Sequence, residues 1–226
     1  MTTIAENLQA VTARVARAAR AAGRHPEAVT LLAVSKTHPA ERVREAAAAG
    51  QGAFGENYVQ EALDKMQALP PLEWHLIGPL QSNKTRPAAE HFAWVQTVQS
   101  EKIARRLSQQ RPAGLPPLNV LIQVNASGEA TKSGVAADQV VALVKILKAL
   151  PKLRLRGLMA VPEPGAPRER YRQMKALFDR LSEEGPLDTL SMGMSEDLEL
   201  AIAEGATMVR VGTAIFGARK KEGAGA

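Results

Sequence analysis

Short apolar runs alternate with amphipathic stretches along almost the whole chain. Eight runs read as strands, at 29 to 35, 52 to 54, 74 to 77, 93 to 97, 118 to 124, 154 to 160, 188 to 191 and 207 to 211, because each is brief, largely apolar and bounded by turn residues. Helix-patterned segments lie between them, among them AERVREAAAAG, NYVQEALDKMQAL, SEKIARRLSQQ, ADQVVALVKILKAL, PRERYRQMKALFDRLSEEG and EDLELAIAEG. Several end in glycine, which tolerates the left-handed backbone at a helix C-terminus. A further amphipathic helix precedes the first strand and stops at Gly23.

Strand-helix alternation implies a parallel sheet, because a crossover helix must return each strand to the same end. Eight such units close into a (β/α)8 TIM barrel, here a single α/β domain over residues 1–226 with an extra N-terminal helix. Residues 1–3 and 220–226 are expected to be mobile ends. An open doubly wound sheet is the alternative, but no GxGxxG follows the first strand.

Composition narrows the function. The 226 residues are 45% hydrophobic and 23% charged, as in a globular protein, and no apolar stretch approaches the roughly 20 residues that span a bilayer. With no cysteine, disulfides, thiolate metal sites and a cysteine nucleophile are excluded. The histidines show no metal-site spacing, and the N-terminus lacks the features of a secretory signal, so a cytoplasmic location is expected. A net charge of +6 raises the question of nucleic acid, and Arg14, Arg17 and Arg20 share a helix face with Arg24 just past its end. No aromatics interleave with basic residues, so a solvated face is expected and nucleic-acid binding is not.

In a barrel, chemistry gathers at the strand C-terminal ends. The polar residues there are Lys36, Asn57, His75, Ser82, Asn83, Lys84, Asn125, Lys132, Ser191, Ser195, Arg210 and Thr213, with Met159 and Gly212 beside them. Loops after the last two strands often bind phosphate, since free N–H groups and close backbone approach favour an anion there. Gly212 and Thr213 fit that role, and Ser195 is placed to cap a helix starting at Glu196 and to donate to the same anion. Glu196 and Asp197 would then have to point away.

Lys36 ends the apolar run VTLLAVSKTHP and reads either as a solvated strand-end residue or as a nucleophile. An amine with an ordinary pKa of about 10.4 attacks a carbonyl only when desolvation and nearby cations, here Lys84, Lys132 and Arg210, depress it. A lysine beside a phosphate site suggests pyridoxal 5'-phosphate. Arg210 reads either as a partner of a neighbouring carboxylate or as a group facing the pyridine nitrogen.

LLAVSKTHP, FGENYVQEALDK, WHLIGPLQSNK, VLIQVNASGEATKSG, LRGLMAVPEP and LSMGMSEDLELAIAEGATMVRVGTAIFGAR occur in this order and resemble the pyridoxal phosphate homeostasis proteins, the YggS/PROSC-like family. The resemblance implies a barrel like the N-terminal domain of alanine racemase, with pyridoxal phosphate held as a Schiff base on Lys36. It also implies Arg210 at the pyridine nitrogen, Ser195, Gly212 and Thr213 on the phosphate, and Asn57 and Met159 lining the cofactor. The function expected is intracellular vitamin B6 homeostasis by a monomer that holds the cofactor and hands it to pyridoxal phosphate-dependent apoenzymes. No catalytic residue is expected: the second domain that supplies the racemase tyrosine is missing from the pattern, and Tyr58 and Tyr171 are poorly placed to replace it. An amino acid racemase is the alternative.

Overall fold

The computed structural model describes residues 2–127, 133–183 and 185–218. Helix α1 (Ile4–Ala21) opens on a capping box in which the Thr3 hydroxyl accepts from the Glu6 N–H and the Glu6 carboxylate accepts from the Thr3 N–H. Thr3 is thus an ordered cap, where a loose end was expected. Ile4, Leu8, Val11, Val15, Ala18 and Ala19 recur at helical spacing and are buried. Gly23, at φ +70°, ends this helix as expected.

The chain then runs β1 (Thr30–Val34), α2 (Ala40–Ala48), β2 (Ala53–Glu56), α3 (Val59–Ala68), β3 (Glu73–Leu76), α4 (Thr85–His91), β4 (Trp94–Val98), α5 (Glu101–Gln110) and β5 (Leu118–Val124). It continues through α6 (Val140–Lys148), β6 (Leu153–Ala160), α7 (Arg168–Ser182), β7 (Thr189–Ser191), α8 (Leu198–Ala203), β8 (Met208–Val211) and α9 (Thr213–Phe216). Each strand pairs in parallel with the next, and β8 pairs with β1, closing an eight-stranded barrel with Leu32 opposite Arg210. All eight expected strands are present, with ends displaced by two residues at most.

Helix α4 has no counterpart in the sequence pattern. It is short and carries Pro87 in its first turn, where the missing N–H breaks no intrahelical bond. The helix expected from Glu196 begins instead at Leu198, after a turn over 195–197.

Most of the apolar core lies between the sheet and the helices. Inside the barrel Trp94, Leu121 and Met159 form a small apolar cluster. The rest of the interior includes buried polar groups, His75, Gln96, Ser191 and Arg210. The arginine stripe on α1 is only partly solvated. Arg14 holds Glu199 at 2.9 Å and the Ser195 carbonyl at 3.2 Å, while Arg24 donates to the carbonyls of Ile202, Ala206 and Ala28. These two arginines fasten α1 and the turn after it to the β7–β8 side of the barrel.

Candidate functional site

Side chains alternate across each strand, so Leu32, Val34 and Lys36 share one direction while Ala33 and Ser35 take the other. Val34 and Lys36 open into a pocket of about 420 Å³ at the strand C-terminal ends. Asn57 follows β2 into the same pocket, Ser195 enters from the turn after β7, and Arg210, Gly212 and Thr213 come from β8 and the start of α9. Six of the seven residues expected at a cofactor therefore share one cavity. Its size is that of a small-molecule site.

Met159 is the seventh, and it does not line this pocket. It is 1% exposed, lies one residue before the end of β6, and packs with Trp94 and Leu121 inside the barrel. His75 is likewise buried inside the barrel, and Ser82, Asn83 and Lys84 form a short 3-10 turn away from the pocket lining. The Asn125 side chain accepts from the N–H and hydroxyl of Ser127. Of the three cations expected beside Lys36, Arg210 shares its pocket, Lys84 does not, and Lys132 lies outside the described residues, as does the 220–226 tail.

Arg210 is buried, and its guanidinium donates from Nη1 to Ser191 Oγ at 2.8 Å and from Nη2 to the Ala160 carbonyl at 2.8 Å. Burial pushes its pKa down to about 10, with the Asp197 charge acting against that fall, so it remains a cation at neutral pH. The carboxylate partner that one reading of the sequence gave it is replaced by a hydroxyl and a carbonyl.

Behind Arg210 a polar chain crosses the barrel. Ser191 Oγ is 2.7 Å from Gln96 Oε1, Gln96 Nε2 is 2.9 Å from His75 Nδ1, and His75 Nε2 is 2.8 Å from Glu73 Oε1. Arginine has only donors and an ionised carboxylate only acceptors, so the two ends dictate every proton between them. Ser191 accepts from Arg210 and donates to Gln96, and Gln96 donates to His75, whose remaining N–H goes to Glu73. Burial lowers the pKa of His75, against the pull of Glu73, and keeps the ring neutral.

Asp197 is committed as well. Its Oδ1 accepts from the Met194 N–H at 2.6 Å, and its Oδ2 accepts from the Tyr171 hydroxyl at 2.5 Å. Burial first, and this bond second, raise the Tyr171 pKa far above its ordinary value, so the phenol stays protonated. Asp197, not the expected Ser195, stands at the N-cap of α8, where it makes no side-chain cap bond to the helix but accepts from the Met194 N–H and so organises the turn before it. Ser195 keeps its hydroxyl for the pocket.

Gly212 carries a different constraint. A Cβ at this position would stand 3.1 Å from the Val34 carbonyl oxygen, so the β8 end and the β1 end approach closely and a larger residue would require the neighbour to shift slightly. The first N–H groups of α9 follow directly, and the first turn of any helix leaves such donors without intrahelical acceptors. The donor set of the cavity is an amine, a buried guanidinium, two hydroxyls and backbone N–H groups. Such a set suits an anion, although Glu163, Glu196 and Asp197 also line the cavity, so the last two do not lie clear of it as expected.

Comparison with known proteins agrees with this chemistry. The family model for the alanine racemase N-terminal domain matches residues 7–220. The pyridoxal phosphate homeostasis protein of Pseudomonas aeruginosa is 64% identical over 226 residues, covering 97% of each chain. That of Escherichia coli K12 is 54% identical over 229 residues, covering 97% of this chain and 98% of its own. PipY of Synechococcus elongatus, solved with PLP bound, has a TM-score of 0.82 at 40% identity, covering 95% of this chain and 100% of PipY. Alanine racemase of Clostridium difficile shares the fold at a TM-score of 0.73 and 14% identity, with 86% of this chain matched to 56% of the racemase.

Proposed function

The chain belongs to the pyridoxal phosphate homeostasis proteins of the alanine racemase N-terminal domain family, and from that premise we propose that it holds pyridoxal 5'-phosphate in the pocket described above, covalently on Lys36. The observation that carries this reading is the convergence of Lys36, Arg210 and the Gly212–Thr213 segment on one cavity of about 420 Å³. When bound, the cofactor would supply an aldehyde able to condense with the Lys36 amine with loss of water.

The remaining roles fall to the chain. Gly212 and Thr213 hold the phosphate with backbone N–H groups and a hydroxyl, and Ser195 adds a second hydroxyl from the opposite loop. Asn57 lines the ring's side of the cavity. Arg210, a cation that donates hydrogen bonds and accepts none, would face the pyridine nitrogen and keep it unprotonated, which would disfavour carbanion chemistry. Tyr171 has its hydroxyl committed to Asp197, and Tyr58 is 60% exposed. The protein accordingly stores the cofactor as a cytoplasmic monomer and releases it to apoenzymes, without turnover of its own.

Borohydride reduction of protein saturated with pyridoxal phosphate, followed by peptide mass analysis, is expected to mark Lys36, and an absorbance band near roughly 420 nm should precede reduction. An unmarked Lys36 would overturn the reading. Amino acid turnover at about 1 per second or faster would refute its non-catalytic part and favour a racemase.

A further inference from the structure

We propose that Lys65, together with Glu56 and Glu61, is a positioning device that fixes the backbone on both sides of Lys36 and so sets where its amine emerges. The inference rests on the reading of Lys36 given above. Lys65 projects from α3 into the layer between helix and sheet and is 5% exposed. Its ammonium has three hydrogens and three partners: the Ser35 carbonyl at 2.8 Å, Glu56 Oε1 at 2.6 Å and Glu61 Oε1 at 2.7 Å.

These partners reach the two neighbours of Lys36. Ser35 gives its carbonyl to Lys65 and its hydroxyl to Glu56 Oε1 at 2.6 Å, so it is held at two points. Thr37 gives its N–H to Glu61 Oε1 at 2.5 Å. Thr37 has φ +66°, the one positive φ outside glycine among the described residues, and a β-branched residue there is strained by about 1–3 kcal/mol. The chain is held in this unfavourable turn immediately after Lys36.

Stability alone is a poor reason for such a cluster. Apolar packing in place of a buried ion pair is often neutral or stabilising, whereas this one leaves Glu56 Oε2 buried without a partner. What apolar side chains do not supply is directed bonds to the backbone of residues 35 and 37. A reacting amine misplaced by about 1 Å can lose about 100-fold in rate, which is the scale on which fixed flanks matter.

The test compares Lys65→Met and Glu61→Gln with the parent in two measurements on the full chain. Pyridoxamine 5'-phosphate has no aldehyde, so its affinity reports the noncovalent hold of a folded pocket; the yield and rate of the borohydride-fixed Lys36 adduct with pyridoxal phosphate report amine placement. The expected result is a fall of at least about tenfold in adduct formation with pyridoxamine phosphate affinity kept within about twofold. Glu61 is partly exposed, so its variant carries the test if Lys65→Met does not fold. Adduct formation at the parental rate in the variants would overturn the inference, as would an equal loss of both ligands, the mark of a cluster that only stabilises the fold. A parent that forms no adduct on Lys36 would instead overturn the proposed function, and this inference with it.

Discussion

Arg210 and Ser191 are joined by a 2.8 Å hydrogen bond in which the guanidinium donates and the hydroxyl accepts, and this bond decides the direction of every proton behind it. Four side chains in series, Ser191, Gln96, His75 and Glu73, come from three adjacent or facing strands and link the pocket to the opposite end of the barrel. The arrangement holds a buried cation by hydroxyl and carbonyl oxygens, with no carboxylate among its hydrogen-bond partners in the described residues, while the charge of Asp197 acts on it through space.

Replacing Ser191 with alanine removes one acceptor from a buried guanidinium and one donor from Gln96. A buried group left unsatisfied costs about 1–3 kcal/mol, more where it is charged, so Ser191→Ala should lower the unfolding free energy by at least that amount. Equilibrium urea unfolding measures it. A change under about 0.5 kcal/mol would mean that water or another group takes the place of the hydroxyl.

The neutral state of His75 predicts a pH dependence. The ring is faced by Glu73 on its own strand and by Gln96 and Trp94 on β4, with Arg156 stacked over Trp94 on the far side. Its folded pKa lies below 6.5, so below that pH the unfolded chain binds a proton that the native protein does not. Stability from this source is complete above about pH 7 and falls as pH drops, by up to about 1.4 kcal/mol per unit until the folded pKa is reached. Glu56 opposes the trend, since burial raises its pKa and gives the native state the extra proton at low pH. Comparing His75→Gln with the parent isolates the histidine: its unfolding free energy should vary less with pH between about pH 5 and 7.

The Tyr171–Asp197 bond ties the outer helix α7 to the turn that carries Ser195 into the pocket. Tyr171→Phe preserves the ring and removes only the donor. A hydrogen bond to a charged group contributes about 1.5–3 kcal/mol, so thermal unfolding should shift downward. Affinity for pyridoxamine 5'-phosphate should fall too, because the Ser195 turn loses one of its two fixings on Asp197.

The barrel was readable because each unit repeats the same sequence logic: an aliphatic run, a turn, an amphipathic stretch. Helix α4 escaped because seven residues with a proline and three charged or titratable side chains carry little periodicity. The pocket residues were readable from position, since a residue just past a strand end is delivered to the rim whatever its type. Met159 and Arg210 both lie one residue before a strand end, and only the longer Arg210 lines the pocket, while Met159 packs inside the barrel. Gln96 in WVQTV and Lys65 in EALDKMQAL were not singled out, although a polar residue inside an apolar strand is a visible signal. Lys65 had none: on an amphipathic helix a lysine reads as solvated, and only the packing of α3 on β2 reveals that it points inward.

Gly78 connects backbone packing to the pocket. It follows Ile77 at the end of β3, its carbonyl accepts from Thr97 Oγ1 at 2.8 Å, and a Cβ placed on it would lie 2.2 Å from the Asn57 carbonyl oxygen and 2.6 Å from the Asn57 Cα. Those atoms are main chain, so a rotamer change gives no relief. Gly78→Ala must push the Asn57 segment toward the cavity or pull the β3 end away from Thr97. Overpacking of this kind costs about 1–3 kcal/mol, and the displaced segment lines the pocket. We expect a lower urea midpoint together with weaker pyridoxamine 5'-phosphate binding. Loss of stability with binding intact would show that the strain is absorbed on the β3 side and that the Asn57 segment keeps its place in the pocket.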